Sequence, residues 1–138
     1  MHILSKKRAT DYERKLGDIF WENGFGVMRA PASSGTTNIR RPDLLVGSSK
    51  KNLTFAIEVK TSRQNQFYVT KKQLSGLQEF ASCFGAEPYL AVKFVGKRMD
   101  FMFLKVPDDL ILSKGESYRV DIDMVKEKAM EFSSLINQ

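Results

Sequence analysis

Asp43, Glu58 and Lys60 are charged residues in or beside the two apolar segments of residues 40–62, which read RRPDLLVGSSKKNLTFAIEVKTS. Fourteen residues separate Asp43 from Glu58, and Lys60 follows two positions later. Alternate side chains share a face of a strand, so Glu58 and Lys60 are neighbours on one face, and Asp43 joins them if its own strand pairs alongside. Carboxylate oxygens are the ligands that Mg²⁺ prefers, and a lysine beside them can orient or help deprotonate a water that attacks a phosphate. The spacing therefore indicates metal-assisted phosphodiester chemistry.

A simpler interpretation stays open at this point. Glu58 and Lys60 could form a buried ion pair while Asp43 caps a turn, and this arrangement needs no metal ion. Other chemistry is limited, since the chain has one histidine, His2, and one cysteine, Cys83. Histidine triads and cysteine-based zinc clusters are excluded. Cys83, in the segment EFASCFG, is predicted to be a small buried packing residue.

The composition is that of a globular protein. The chain has 138 residues, of which 42% are apolar and 28% charged, so we expect one domain over residues 1–138. No apolar run is long enough to cross a bilayer, and the first residues, MHILSKKR, lack the apolar segment of a signal peptide. We therefore expect a cytoplasmic protein that does not enter a membrane.

Positive charge is concentrated in the half that contains the charged strands. Residues 1–72 carry 14 Lys and Arg against 6 Asp and Glu, whereas residues 73–138 carry 8 against 10. Clustered cations favour a polyanionic partner. A basic protein with ordinary solvated surface charge is the alternative. The candidate phosphate ligands are the cations before, between and after the site residues, and if the polyanion is DNA they would bind its backbone: Lys6, Lys7, Arg8, Arg14, Arg29, Arg40, Arg41, Arg63, Lys71 and Lys72.

The elements that position these residues follow from periodicity and from turn signals. Helices are predicted from about Ala9 to Asn23, from the capping box at Thr70 to Gly85, and from about 122 to 136. Strands are predicted in the segments FGVMRA, DLLV, LTFAIEVK, YLAVKF and MDFMFL. The order α-β-β-β-α-β-β-α predicts an α/β fold with a central mixed five-stranded β-sheet flanked by helices.

The site residues resemble a known signature. Pro42-Asp43 and Glu58-Val59-Lys60 on a predicted hairpin are similar to the PD-(D/E)xK motif of restriction-endonuclease-like nucleases, which implies that fold. The first helix adds a third carboxylate. Glu13 shares a face with Leu16 and Phe20, so it borders the buried stripe of the helix.

A longer resemblance covers roughly residues 6 to 105. The segments KKRATDYERKL, GFGVMRAPASSG, RRPDLLV, FAIEVKTS and FYVTKKQLSGLQEFASCFGAEPYLAVKF resemble, in this order, the archaeal Holliday junction resolvases of the Hjc type. One departure is Ala9, where many members of that family have glycine.

The resemblance implies roles for individual residues. Glu13 joins Asp43 and Glu58 as a metal ligand, and Lys60 assists catalysis. Arg14 and Arg29 serve DNA binding and catalysis. A serine of the loop after Arg29 is also catalytic, and both Ser33 and Ser34 are candidates.

The resemblance also implies an activity and partners. It predicts a Mg²⁺-dependent endodeoxyribonuclease, with Mn²⁺ as a substitute, that resolves four-way DNA junctions in recombination and repair by paired symmetric cuts. It predicts a homodimer whose interface includes Phe80 and Phe84. Two alternatives stay open, a related nuclease for other branched DNA and an inactive DNA-binding module of the same fold. The sequence does not identify accessory partners such as a sliding clamp or a branch-migration protein.

Overall fold

The computed structural model describes residues 6–31, 40–113 and 115–138, and it has the predicted α/β architecture. Its helices are α1 (Lys6–Glu22), α2 (Lys71–Phe84), α3 (Ile122–Lys128) and α4 (Phe132–Ile136). Among the described residues, no helix combines the length and the apolar character needed to span a membrane.

A six-stranded mixed sheet forms the centre of the fold, in the spatial order β1-β2-β3-β5-β6-β9. Its strands are β1 (Gly26–Arg29), β2 (Leu44–Ser48), β3 (Leu53–Ser62), β5 (Glu87–Phe94), β6 (Met102–Lys105) and β9 (Met130–Glu131). Among the described strands of this sheet, only the β3–β5 pair is parallel, and α2 provides the crossover between these two strands. The predicted mixed sheet flanked by helices is thus confirmed, with one short strand beyond the expected five.

A separate three-stranded sheet was not predicted from the sequence. It has the order β4-β8-β7 and consists of β4 (Gln66–Thr70), β7 (Ile111–Leu112) and β8 (Ser117–Asp121). β7 has only two residues, and β4 lies between a polar turn and the cap of α2. Segments this short carry little periodicity for a sequence to reveal.

The main sheet separates two apolar cores. The core on one face contains residues of α1 and α4, and the core on the other contains residues of α2, α3 and the small sheet. Phe20 of α1 is fully buried, and its ring lies within 6.4 Å of the rings of Phe25, Phe55, Phe103 and Phe132, measured between centroids. Replacing such a side chain with alanine costs about 3–5 kcal/mol of unfolding free energy. This packing anchors α1 on the sheet.

The ends of α2 agree with the sequence prediction. The Thr70 hydroxyl accepts a hydrogen bond from the Gln73 N–H, and the Gln73 side chain accepts one from the Thr70 N–H, which completes the capping box. Gly85 ends the helix in the left-handed conformation with φ of 90°.

Two local predictions are wrong. The single helix expected from about 122 to 136 is divided, because Ala129 is extended and Met130–Glu131 pairs with β6 before α4 begins. Cys83 is exposed and not buried. The buried stripe of α2 consists of Leu74, Leu77 and Ala81, and a residue two positions after Ala81 points to the opposite side of a helix.

Candidate active site

Asp43 and Glu58 lie together where β2 begins. Strands β2 and β3 are antiparallel with Leu44 paired to Ile57, so the register extended by one residue sets Asp43 opposite Glu58. The Asp43 Oδ2 atom accepts a hydrogen bond of 2.8 Å from the Val59 N–H. This bond fixes one carboxylate oxygen of Asp43 on the backbone of β3.

Lys60 completes the group on β3. Its Nζ atom lies 3.5 Å from the Glu58 Oε2 atom, and the side chains of Lys60 and Glu58 are 25% and 24% exposed. The two residues share the face of β3 that also carries Ala56, which packs in the core beneath α2. The predicted neighbourhood of Asp43, Glu58 and Lys60 is thus present.

Glu13 approaches from α1. It is half-buried, and it is close enough to Asp43, Arg29 and Lys60 for their charges to act on its pKa. Arg29, at the end of β1, donates a hydrogen bond of 3.3 Å from Nη2 to the Thr10 carbonyl of α1. Gly17, one turn after Glu13, allows this close approach, because a Cβ atom at this position would lie 3.3 Å from Val27 Cγ1. A glycine within a helical pattern was the available sequence signal for close packing.

The carboxylates carry more negative charge than their surroundings neutralise. Burial, followed by the charge of Asp43, raises the pKa of Glu58 to about 7, although Lys60 opposes the shift. Burial also raises the pKa of Asp43, against the Val59 N–H bond and the charge of Lys60. The pKa of Glu13 is raised by burial and by Asp43. A bound cation would relieve all three shifts.

The donor set fits a hard divalent cation. Mg²⁺ is usually held by one or two carboxylates together with water and substrate phosphates. Asp43 and Glu58 form such a pair, and Glu13 is the next carboxylate. Within residues 6–31, 40–113 and 115–138, no three acidic, histidine or cysteine side chains converge closely enough to hold an ion by themselves. The described geometry therefore brings two carboxylates together, and Glu13 would have to move closer to act as a third ligand.

Arg29, described above, lies beside Glu13, and the other predicted DNA ligands fall into three groups. Arg40 and Arg41 adjoin the carboxylates, in the segment that leads into Asp43. Arg8, Arg14, Arg63, Lys71 and Lys72 are exposed elsewhere on the surface, and Arg14 forms an ion pair of 3.0 Å with Asp11. Ser33, Ser34 and the side chains of Lys6 and Lys7 lie outside the described residues.

A small cavity of about 60 Å³ adjoins Glu58. Its lining consists of Arg40, Arg41, Pro42, Glu58, Gln73 and Leu77. The sequence identifies Gln73 only as a helix cap, and it gives no role to Gly76, which lies outside the lining and packs against Arg40. A much larger cavity of about 860 Å³ lies between α1, β6 and α4, and none of the predicted catalytic residues lines it.

The predicted dimer residues lie on α2. The rings of Phe80 and Phe84 are stacked with centroids 5.8 Å apart and an interplanar angle of 11°. Phe80 packs partly against the core, whereas Phe84 is 55% exposed. Phe84 also borders a groove of about 460 Å³ over β1, β2 and β3, in which Met28 is 70% exposed. This apolar surface is separate from the carboxylates.

Comparisons with known proteins point to one family along nearly the whole chain. A family described as archaeal Holliday junction resolvase (Hjc) matches residues 4–138. Two relatives named crossover junction endodeoxyribonuclease Hjc are similar to the chain. The one from Methanocaldococcus jannaschii is 31% identical over 96% of this chain and 89% of the relative, and the one from Sulfurisphaera tokodaii is 34% identical over 96% and 88%.

A solved structure supports the same comparison. The Hjc Holliday junction resolvase of Archaeoglobus fulgidus superposes with a TM-score of 0.81 at 28% identity, covering 92% of this chain and 98% of that one.

Proposed function

Because this chain belongs to the archaeal Holliday junction resolvase (Hjc) family, we propose that it is an endodeoxyribonuclease that cuts four-way DNA junctions. We propose that the cuts are paired and symmetric, that they depend on Mg²⁺ or Mn²⁺, and that they resolve junctions during recombination and repair. The observation that carries the proposal is the convergence of Asp43, Glu58 and Lys60 at one end of the β2–β3 hairpin, with Glu13 and Arg29 beside them.

Each residue has a distinct task in this chemistry. Asp43, held by the Val59 N–H, and Glu58 would bind the metal ion, with Glu13 as a third carboxylate. A bound divalent cation would acidify a coordinated water and neutralise charge on the scissile phosphate. Lys60, whose Nζ atom lies 3.5 Å from Glu58 Oε2, would orient the attacking water and donate a hydrogen bond to a phosphate oxygen. Arg29 would hold a phosphate next to Glu13.

Recognition would rest on the DNA backbone. The basic residues in and around the site can hold phosphates without reading bases, and a junction is defined by its shape rather than by its sequence. Cytoplasmic, nucleoid-associated location follows from such a substrate and forms part of the proposal. A sliding clamp or a branch-migration protein as accessory partner is not assigned to any surface.

A homodimer fits the substrate. A four-way junction presents two equivalent strands, so a twofold dimer with one site per subunit can cut both. The exposed Phe84, stacked on Phe80 and bordering the groove beside Met28, supports placing the interface there. Burying exposed aromatic and methionine side chains is a typical way to stabilise a subunit interface.

The test is incubation of the purified protein with an end-labelled immobile four-way junction, in Mg²⁺ or in EDTA. A linear duplex of the same sequence and a three-way junction serve as controls. Paired symmetric nicks that need both Mg²⁺ and the four-way junction are the expected result.

The other outcomes point to the alternatives. Faster cutting of the three-way junction would indicate a nuclease for other branched DNA. Binding without cutting would indicate an inactive DNA-binding module.

A further inference from the structure

We propose that the cavity between residues 40–42 and α2 is a subsite for a second DNA phosphate, next to the one that is cut, with Arg40 as its main ligand. This inference rests on the proposed function and adds Gln73 and Gly76 to the machinery. Gln73 would contact the phosphate, and Gly76 would be a positioning residue that acts through Arg40.

The lining of the cavity suits a phosphate. Arg40 and Arg41 line it, and within the described residues neither forms an ion pair. Glu58 is the acidic residue of the lining, and its Oε2 atom already lies 3.5 Å from the Lys60 Nζ atom. The charged groups of the lining that have no ion-pair partner are therefore the two guanidinium groups. Guanidinium groups bind phosphate oxygens well.

Gln73 supplies a neutral donor. Its Oε1 atom is occupied by the Thr70 N–H at 3.1 Å, which fixes the orientation of the amide. The Nε2 atom has no hydrogen-bond partner among the described residues, and Gln73 lines the cavity. An amide with its oxygen engaged can still donate two hydrogen bonds to an anion.

The size of the cavity is also appropriate. Its volume is about 60 Å³, and a water molecule occupies roughly 30 Å³ in the liquid, so one phosphate group could replace about two waters. Since Glu58 is both a wall of this cavity and a proposed metal ligand, the subsite adjoins the reacting phosphate.

Gly76 allows Arg40 to lie against α2. A Cβ atom at residue 76 would lie 2.8 Å from Arg40 Cγ and 3.1 Å from both Cβ and Cδ of Arg40. These atoms are at or near the base of the side chain, so rotation of the guanidinium end would not relieve the clash. The start of the Arg40 side chain, with its backbone, would have to move. A side chain at residue 76 is therefore incompatible with this position of Arg40.

The test compares Arg40→Ala, Gln73→Ala, Gly76→Ala and the double variant of Arg40 and Gly76. Ser75→Ala, an exposed neighbour on the same helix, is the control. Affinity for a labelled four-way junction is measured in EDTA over a range of salt concentrations, and the thermal midpoint of each variant is recorded. Alanine forms helix better than glycine, so a merely structural effect of Gly76→Ala on α2 would not weaken the helix.

We expect Arg40→Ala to weaken junction binding roughly tenfold and to reduce the slope of log affinity against log salt by about 0.9, the value for one lost phosphate contact. Gly76→Ala should have the same effect without lowering the thermal midpoint. The double variant should be no weaker than either single variant, because both remove the same contact. Gln73→Ala should weaken binding less than Arg40→Ala and leave the slope unchanged.

The proposal is overturned if Arg40→Ala keeps the wild-type affinity and slope, or if the losses of the double variant add. Arg40→Ala does not alter α2, so the test holds even if Gly76→Ala fails to fold. A wild-type protein that neither binds nor cuts junctions would instead refute the proposed function itself.

Discussion

Glu58 should destabilise the folded protein at neutral pH when no metal ion is bound, and Glu58→Gln should remove that cost. Burial and the nearby Asp43 raise the pKa of Glu58 from 4.5 to about 7. A carboxyl whose pKa is higher in the folded than in the unfolded protein stabilises the fold below the unfolded pKa. This stability is lost as the pH rises through the folded pKa.

The magnitude follows from the shift. One pKa unit corresponds to about 1.4 kcal/mol, so a rise from 4.5 to about 7 costs about 3 kcal/mol of unfolding free energy between pH 4.5 and pH 8. Glutamine has the same shape and no charge. The advantage of Glu58→Gln over wild type should therefore grow by about 3 kcal/mol across this pH range.

The assay is urea unfolding followed by far-UV circular dichroism, from pH 4.5 to pH 8, in EDTA and at fixed ionic strength. Protein concentration is held constant because a dimer would link stability to it. Glu127→Gln, at an exposed position of α3, is the matched control and should not diverge from wild type with pH. A difference between Glu58→Gln and wild type that does not change with pH would refute the reasoning about the electrostatics of this site.

Three further predictions concern the site and the surface of α2. Millimolar Mg²⁺ should raise the unfolding free energy of the wild type and remove most of the advantage of Glu58→Gln, as measured by the same urea titrations; no change would mean that the carboxylates do not bind the ion. Lys60→Met should slow single-turnover junction cleavage by roughly a hundredfold or more, and by removing the ion-pair partner of Glu58 it should also lower stability at pH 8; wild-type cleavage would exclude a role in the reaction. Phe84→Glu should convert a dimer into monomers in equilibrium sedimentation at micromolar concentration, whereas Trp21→Glu, at an aromatic residue that is 70% exposed on α1, should not; a monomeric wild type would remove the dimer proposal.

Long periodic segments explain what the sequence could predict. The apolar face of α1 and the caps of α2 each involve several residues that indicate the same structure, and both are present in the fold. In β3, alternate side chains enter different cores, with Phe55 and Ile57 on one side of the sheet and Ala56 on the other. Strands of two residues, such as β7 and β9, contain too few residues to show a period. Their formation depends on the strands that they pair with, and the sequence does not show these partners.

Some parts of the candidate site could likewise be predicted from the sequence, and others could not. The spacing of Asp43, Glu58 and Lys60 could be read because one hairpin carries all three residues. The cavity beside Glu58 could not be read, because Arg40 and Gly76 belong to distant segments that meet only through the packing of α2. A glycine in the middle of a helix signals close contact, but the sequence does not identify the contacting residue.

The central claim, that these carboxylates carry out metal-dependent cutting of junction DNA, is tested most directly with Asp43→Asn. Asparagine keeps the shape of aspartate but removes the charge that a metal ion needs. Single-turnover cleavage of a labelled four-way junction in Mg²⁺ is measured together with junction affinity in EDTA. The account predicts paired symmetric cuts by the wild type, and no cuts by Asp43→Asn at an affinity within a few-fold of wild type. Cleavage by Asp43→Asn at the wild-type rate would contradict it.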